Sequence, residues 1–148
     1  MRLADRDLEI IGASIYLCEG TKERVVKRPN GQKQKIFAVE FTNIDPRVIS
    51  LFLRFLRKII KADEKRIKAE LFIYPDHNED KLIKFWANST GIAIDRFNKT
   101  IQLEQKNFKY KPNPLGTLKI RYSHKKHFLK IQSIIKKIFG SEKKFKII

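Results

Sequence analysis

The sequence predicts an α+β domain in which helices cover one face of an antiparallel sheet. Segments with apolar residues at helical spacing are interspersed with segments in which apolar and polar residues alternate. Such alternation gives a strand one apolar and one polar face, which is typical of an antiparallel sheet packed against helices on a single side. At 148 residues, the length favours one domain, which we place at residues 1–140, followed by a basic tail at 141–148.

The N-terminal segment is predicted to form a helix and a hairpin. The helix covers about residues 4–18 and ends before Gly20, which suits the left-handed conformation that often terminates helices. Strands are expected at residues 22–28 and 34–42, because turn-forming residues 29–31 separate them.

A second helix and a third strand are predicted next. Asp45 followed by Pro46 is typical of a helix start, because Asp caps free N–H groups and proline fits the first helical position. Apolar residues then recur at helical spacing as far as Ile60, and residues 67–74 alternate as a strand.

The C-terminal part is predicted to contain a helix at about residues 78–88, a hairpin and a last helix. The hairpin strands lie near residues 100–104 and at 115–122, and Ser123 is the predicted cap of the final helix. Two nearby histidines, His124 and His127, are interpreted as surface residues, because no Cys or carboxylate accompanies them.

The charge of the chain is strongly positive. Lys and Arg total 33 against 16 acids, which gives a net charge of +17. An excess of this size favours a polyanionic partner, most simply DNA or RNA. A lysine-rich surface that only aids solvation is the alternative, and an anionic membrane surface is a weaker one.

The sequence also indicates where in the cell the chain is located. No apolar run approaches the roughly 20 residues of a membrane span, and the N-terminus lacks a signal-peptide pattern. The single Cys18 excludes an internal disulfide and a multi-cysteine zinc site. We therefore expect a cytoplasmic protein that does not bind membranes.

The end of the first helix carries an unusual acid, Glu19. A carboxylate there meets the negative end of the helix dipole, so either solvent exposure or a metal ion or reaction centre must account for it. Residues 13–20 read Ala-Ser-Ile-Tyr-Leu-Cys-Glu-Gly. This stretch resembles the signature helix of the LAGLIDADG homing endonuclease family, with Glu19 on the metal-binding acid and Gly20 on the terminal glycine. The element order is also similar to about residue 139, whereas Gly12 and Leu17 depart from the motif.

The resemblance implies an αββα-βα-ββα fold with a saddle-shaped sheet that lies in the major groove of double-stranded DNA. It also implies a homodimer formed through the first helix and Mg²⁺ bound by Glu19 with Gly20. Basic residues would assist phosphodiester hydrolysis; the candidates are Lys22, Lys119 and Arg121. The predicted dimer interface comprises Ile11, Ser14, Ile15 and Cys18.

The polar strand faces also favour DNA, independently of the resemblance. They mix Arg, Lys, Gln and Glu, the residue types that read base edges, whereas a surface that only follows phosphates would contain few acids. An ordinary solvated sheet with cross-strand ion pairs is the alternative. The predicted DNA-binding residues are Arg24, Arg28, Gln32, Lys33, Gln34, Lys35, Lys68, Glu70, Phe72, Tyr74, Gln102, Lys109, Thr117, Lys119 and Arg121.

Two further functions stay open on sequence alone. One is a DNA-binding regulator on the same fold that does not cleave, and the other is an RNA-binding or intron-maturase-like protein. The departures from the signature helix permit the first, because a degenerate site would still keep the basic sheet.

Overall fold

The computed structural model describes residues 2–104 and 113–142 and confirms the predicted α+β class. The α-helices in these ranges are α1 (Asp5–Glu19), α2 (Pro46–Phe55), α3 (Glu79–Thr90) and α4 (Lys125–Phe139), and a π-helical turn extends α2 through Leu56–Ile60. The strands are β1 (Arg24–Lys27), β2 (Lys33–Ile36), β3 (Ala38–Asn43), β4 (Ile67–Ile73), β5 (Ile101–Gln102) and β6 (Thr117–Ser123). None of the helices described is long and apolar enough to cross a membrane.

Side-chain caps define three of the helix starts. Asp45 accepts a hydrogen bond from the N–H of Arg47, and Asn78 accepts one from Lys81, as the sequence predicts. The prediction that Ser123 caps the last helix is wrong, because β6 extends through that residue. His124 caps α4 instead, with Nδ1 accepting from a main-chain N–H at 3.1 Å.

The two histidines at the start of α4 are half-buried. The rings of His124 and His127 stack with centroids 3.9 Å apart, and Tyr122 stacks on both. The stack fixes the first turn of α4 against β6.

The main sheet has the strand order β3-β6-β4-β5. β6 is antiparallel to both β3 and β4, whereas β5 pairs with β4 in parallel. The sheet is therefore mixed, and the predicted hairpin between the last two strands is wrong. Because β6 inserts between β3 and β4, β5 is left on the outer edge of β4.

The single strand predicted over residues 34–42 is divided into β2 and β3. Gly20 forms a bridge with Phe41, whereas Arg24 pairs with Ile36. Between these two pairs, four residues lie on one segment and three on the other, so the pairing is offset by one residue. The offset separates the exposed β1–β2 hairpin from the four-stranded sheet.

The apolar face of the sheet packs against helices, as predicted. Phe52 of α2 stacks on Phe41 of β3 with ring centroids 4.4 Å apart, and Tyr16 of α1 stacks on Phe52 at 5.6 Å. Phe128 of α4 meets Phe37 edge-on at 5.8 Å. Aromatic contacts of this kind bury large apolar areas, so this side of the sheet is closed. The opposite, polar face remains open.

Candidate nucleic-acid interface

The open face of the sheet arranges its polar side chains in rows across the strands. Directly opposite residues on one face are close enough to interact, so each row forms a small cluster. The first row is Glu40, Arg121 and Lys68, the second is Thr42, Lys119 and Glu70, and Thr117 and Phe72 follow. We call this surface the polar face. It brings together the predicted residues of β4 and β6.

Glu40 is the centre of an ion cluster on the polar face. Its side chain is only 3% exposed. Its carboxylate oxygens lie 2.8 Å from Nη2 of Arg24, 3.0 Å from Nζ of Lys119 and 3.8 Å from Nη1 of Arg121. A buried carboxylate requires such partners, because its desolvation is otherwise unfavourable. One acid shared by three cations leaves a local excess of positive charge.

The β1–β2 hairpin contributes to this surface with only one of its faces. In the β1–β2 register, Arg24 and Gln34 lie on one face, whereas Lys33 and Lys35 lie on the other. Arg28 joins the first group, since its Nε donates to Oε1 of Gln34 at 2.5 Å. The five predicted DNA contacts of the two strands therefore do not share one face. The alternation of a two-stranded ribbon divides them.

Gln32 lies in the turn of the hairpin. Its N–H donates to Oδ1 of Asn30 at 3.0 Å. This bond stabilises the turn locally and leaves Gln32 exposed beyond the end of the ribbon.

Gln102 occupies the opposite side of the sheet from the one predicted. β5 pairs Ile101 with Phe72 and Gln102 with Ile73. Paired residues point to the same face, so Ile101 shares the polar face with Phe72 and Gln102 does not. The sequence pattern misplaces Gln102 because a two-residue edge strand takes its register from main-chain pairing.

The end of β4 is held by His77. The N–H of Tyr74 donates to His77 Nδ1 at 3.0 Å, and His77 Nε2 lies 2.6 Å from the carbonyl oxygen of Asn113. His77 therefore links the turn after β4 to the segment before β6, and it positions Tyr74 beside the polar face. Lys109, another predicted DNA contact, lies outside the described residues.

Glu19 is exposed at the C-terminal end of α1. Its Oε2 accepts a hydrogen bond from Nδ2 of Asn43 at 2.7 Å, which holds the carboxylate beside the end of β3. Gly20 is not left-handed as predicted, since its φ is −75°. Glycine is required for a different reason: a Cβ there would lie 2.3 Å from the Tyr16 ring.

The predicted basic assistants take different positions. Lys119 is bound to Glu40, whereas Lys22 is exposed between α1 and β1. In the ranges that the structure describes, no group of three or more His, Cys, Asp or Glu is arranged to hold a metal ion.

The inner face of α1 makes a close contact within the chain. A Cβ on Gly12 would lie 2.1 Å from the Phe55 ring of α2, and Ala13 beside it is fully buried. These two small residues therefore serve packing between α1 and α2.

The outer face of α1 is apolar and open. Ile10 and Leu17 are 39% and 37% exposed. Ser14 lies between them at helical spacing, and Cys18 continues the exposed surface. Of the predicted interface residues, Ile11 and Ser14 are half-buried and Ile15 packs partly against the core.

Sequence reasoning missed two residues beside these sites, Asn43 and Arg66. Arg66 lies two positions before Lys68, so the alternation of β4 would have placed it on the polar face had the strand been extended by one residue. No local pattern marks Asn43, because its partner Glu19 is distant in sequence.

A comparison with protein families, curated proteins and solved structures finds no match to this chain. The interpretation of function therefore depends on the geometry of the polar face and of α1. It also depends on the resemblance of residues 13–20 to the LAGLIDADG signature helix.

Proposed function

We propose that the chain binds duplex DNA through the polar face, as a homodimer of the LAGLIDADG type. The ion cluster around Glu40 carries this proposal, because it holds Arg24, Lys119 and Arg121 on one open surface. Arginine and lysine donate to guanine edges and to backbone phosphates. Their orientation by a buried acid reduces the side-chain entropy lost when DNA binds.

The element order supports the same assignment. α1, the hairpin, α2, β4, α3, β5, β6 and α4 follow each other in the order that the resemblance implies, with the second strand of the hairpin divided into β2 and β3. The sheet has one face covered by helices and one open face, whose polar and basic side chains can contact DNA. An open antiparallel pair of strands fits the width of the major groove.

The outer face of α1 supports pairing with a second copy. Ile10 and Leu17 expose apolar surface at helical spacing, with Ser14 between them as a small residue. Small residues let two helices approach closely. A twofold contact along this face would bring together Glu19 from both chains, since Glu19 ends the same helix.

The residues at the end of α1 suit Mg²⁺ only in such a pair. Mg²⁺ takes oxygen ligands, usually one or two carboxylates together with water and substrate phosphate. Two Glu19 side chains, with the main-chain oxygen of Gly20, provide oxygen ligands of this kind. A bound Mg²⁺ would polarise a phosphodiester oxygen and acidify water. Asn43 would orient the Glu19 carboxylate, and Lys22 would supply a positive charge.

A DNA-binding regulator that does not cleave is the second candidate. Lys119, one predicted assistant, is bound to Glu40, and Asn43 occupies one oxygen of Glu19. Both contacts are compatible with a face that binds DNA without a complete catalytic site.

Selection of duplexes followed by a cleavage assay tests the proposal. The purified chain would be used to enrich tight-binding duplexes, which are then incubated with the protein and Mg²⁺. We expect double-strand cleavage that is lost in Glu19→Gln and kept in Glu79→Gln, an exposed glutamate of α3.

The other outcomes are equally informative. Specific binding without cleavage supports the regulator, whereas undiminished cleavage by Glu19→Gln contradicts the assigned role of Glu19. Structured RNA that competes better than the selected duplex, at fixed salt, would contradict DNA as the ligand.

A further inference from the structure

A basic cleft lies at one end of the polar face, away from the end of α1. It has a volume of ≈ 320 Å³ and is lined by Arg66, Lys68, Asn98, Arg121 and Ser123. At about 30 Å³ per water molecule, this volume has room for about ten waters. A phosphate group with part of its hydration shell would fit.

The register of the sheet places two cations directly opposite each other in this cleft. Lys68 of β4 pairs with Arg121 of β6 in the antiparallel register. Like charges in directly opposite positions destabilise a sheet. Arg66 lies two residues before Lys68 and adds a third positive charge to the same cleft.

No acid in the described parts of the chain balances this charge well. Arg66 and Lys68 have no carboxylate within 4.0 Å in residues 2–104 and 113–142. Arg121 reaches only Glu40, at 3.8 Å, and that carboxylate already binds two closer cations. A bound anion would supply the counter-charge that these side chains lack.

The other two residues of the cleft, Asn98 and Ser123, are neutral and can donate hydrogen bonds to an anion. The guanidinium of Arg66 donates to the carbonyl oxygen of Ser123, which holds Arg66 beside the sheet. The N–H of Asn98 donates to the carbonyl oxygen of Ala69 at 2.8 Å, which fixes Asn98 next to β4. The side-chain amide of Asn98 and the hydroxyl of Ser123 both offer hydrogen-bond donors.

We propose that the cleft formed by Arg66, Lys68, Asn98, Arg121 and Ser123 binds a phosphate group of the nucleic-acid backbone. That the phosphate belongs to a nucleic acid rests on the proposed function, whereas the affinity of the cleft for phosphate does not. The site positions the backbone at one end of the polar face and leaves Arg24 and Lys119 of the cluster around Glu40 to contact base edges. Phosphate contacts fix the register of a protein on a duplex in this way.

The affinity arm of the test compares Lys68→Gln with Lys84→Gln, which removes an exposed lysine of α3. Each phosphate neutralised changes the slope of log affinity against log salt by about 0.9. We expect Lys68→Gln to reduce this slope by about 0.9 and to weaken binding to all duplexes alike, about eightfold at 0.1 M salt. Lys84→Gln should change neither quantity. Equal effects of the two substitutions would overturn the backbone contact and leave the proposed DNA binding intact.

A second arm uses inorganic phosphate and no nucleic acid. In the wild type, added phosphate should shift the NMR signals of the Arg66 and Arg121 Nε–H groups until the shifts saturate with phosphate concentration. In Lys68→Gln, the shifts should not saturate. Saturable phosphate binding by a chain that binds no duplex would identify a site for free phosphate or a phosphomonoester, so the nucleic-acid source would be wrong. Linear shifts over all arginines in the wild type would overturn the site itself.

Stability distinguishes ligand binding from a structural role. Because Lys68 faces Arg121, Lys68→Gln should leave the denaturation midpoint unchanged or raise it in phosphate-free buffer. Phosphate should raise the midpoint of the wild type more than that of Lys68→Gln. A lowered midpoint for Lys68→Gln without phosphate would show that Lys68 supports the fold, and would contradict the proposal.

Discussion

Arg24 of the β1–β2 hairpin donates to Glu40 of β3, with Nη2 2.8 Å from Oε1. The main chain joins the same two segments, because the N–H of Thr21 donates to the carbonyl oxygen of Glu40 at 2.9 Å. The hairpin is otherwise exposed along both strands. Glu40 therefore determines how the hairpin lies beside the polar face.

Replacing this acid should affect both stability and recognition. Glu40→Gln leaves three cations without their carboxylate, and breaking a buried pair costs about 3–5 kcal/mol. Arg24 and Arg121 are 45% and 42% exposed, so solvent screening lowers the expected loss in unfolding free energy to about 1–2 kcal/mol. Affinity for random duplexes should rise, because one negative charge is removed, and discrimination between duplexes should fall.

Urea denaturation and fluorescence anisotropy would measure these two effects. Glu79→Gln is the control, since Glu79 is exposed on α3, away from the polar face, and forms no ion pair within the described residues. Equal stability and equal discrimination in the two variants would remove Glu40 from the central role assigned to it.

The contact between α1 and α2 should tolerate no side chain at Gly12. In Gly12→Ala, the new Cβ would lie 2.1 Å from the Phe55 ring, which is fully buried and has little room to move. Overpacking of this kind lowers the unfolding free energy by about 1–3 kcal/mol. Glu9→Ala on the same helix is the control, and thermal denaturation of both variants checks the difference. A Gly12→Ala protein as stable as Glu9→Ala would show that the helices separate easily.

Dimerisation through α1 should depend on its exposed apolar residues. Leu17→Asp places a charge in the centre of the proposed contact, so we expect a monomer where the wild type is a dimer. Ile94→Asp is the control, because Ile94 is exposed outside α1. Light scattering coupled to size-exclusion chromatography gives the mass of each variant. A wild-type monomer at all concentrations, or a dimer in Leu17→Asp, would contradict the proposed interface.

The unfolding free energy should decrease below about pH 6.5 because of His127. The N–H of Asp63 donates to the Tyr122 hydroxyl, whose oxygen lies 2.6 Å from His127 Nδ1. Burial lowers the pKa of His127, and the surrounding charges lower it further; these are His124, Lys130, Lys126 and Arg66. Because the folded pKa lies below the unfolded one, protonation favours the unfolded state. The stabilisation is full above the unfolded pKa and is lost as the pH falls from there through the folded pKa.

Denaturation at pH 7.5 and pH 5.5 would measure this dependence. His127→Gln should reduce the difference in unfolding free energy between the two pH values. The same difference in wild type and variant would assign the effect to another group.

Local patterns predicted the faces of the central strands correctly. β4 and β6 alternate buried and half-buried residues as the sequence indicates. The alternation of apolar and polar residues lies within each strand, so it can be recognised from the sequence of that strand alone. This is why Lys68, Lys119 and Arg121 lie on one surface. The caps Asp45 and Asn78 were also predictable, since a cap binds main-chain groups only a few residues away.

The errors arise where pairing between distant segments decides the structure. Gln102 changes face because β5 pairs with β4 in parallel, and no residue within β5 marks that choice. The one-residue offset between β2 and β3 interrupts a stretch whose alternation looks continuous, because the offset arises from main-chain pairing with another segment. The burial of Glu40 likewise depends on cations from other strands. DNA, Mg²⁺ and the homodimer stay predictions.

The most direct measurement of the central claim is the affinity of two arginine variants for a selected duplex. Arg121 lies on the polar face between Glu40 and Lys68, whereas Arg54 is exposed on α2, on the helical side. We predict that Arg121→Gln weakens binding about tenfold or more, in line with the loss of a charged contact worth about 1–3 kcal/mol, and that Arg54→Gln stays within about twofold of the wild type. Equal weakening by the two substitutions would contradict DNA binding through the polar face.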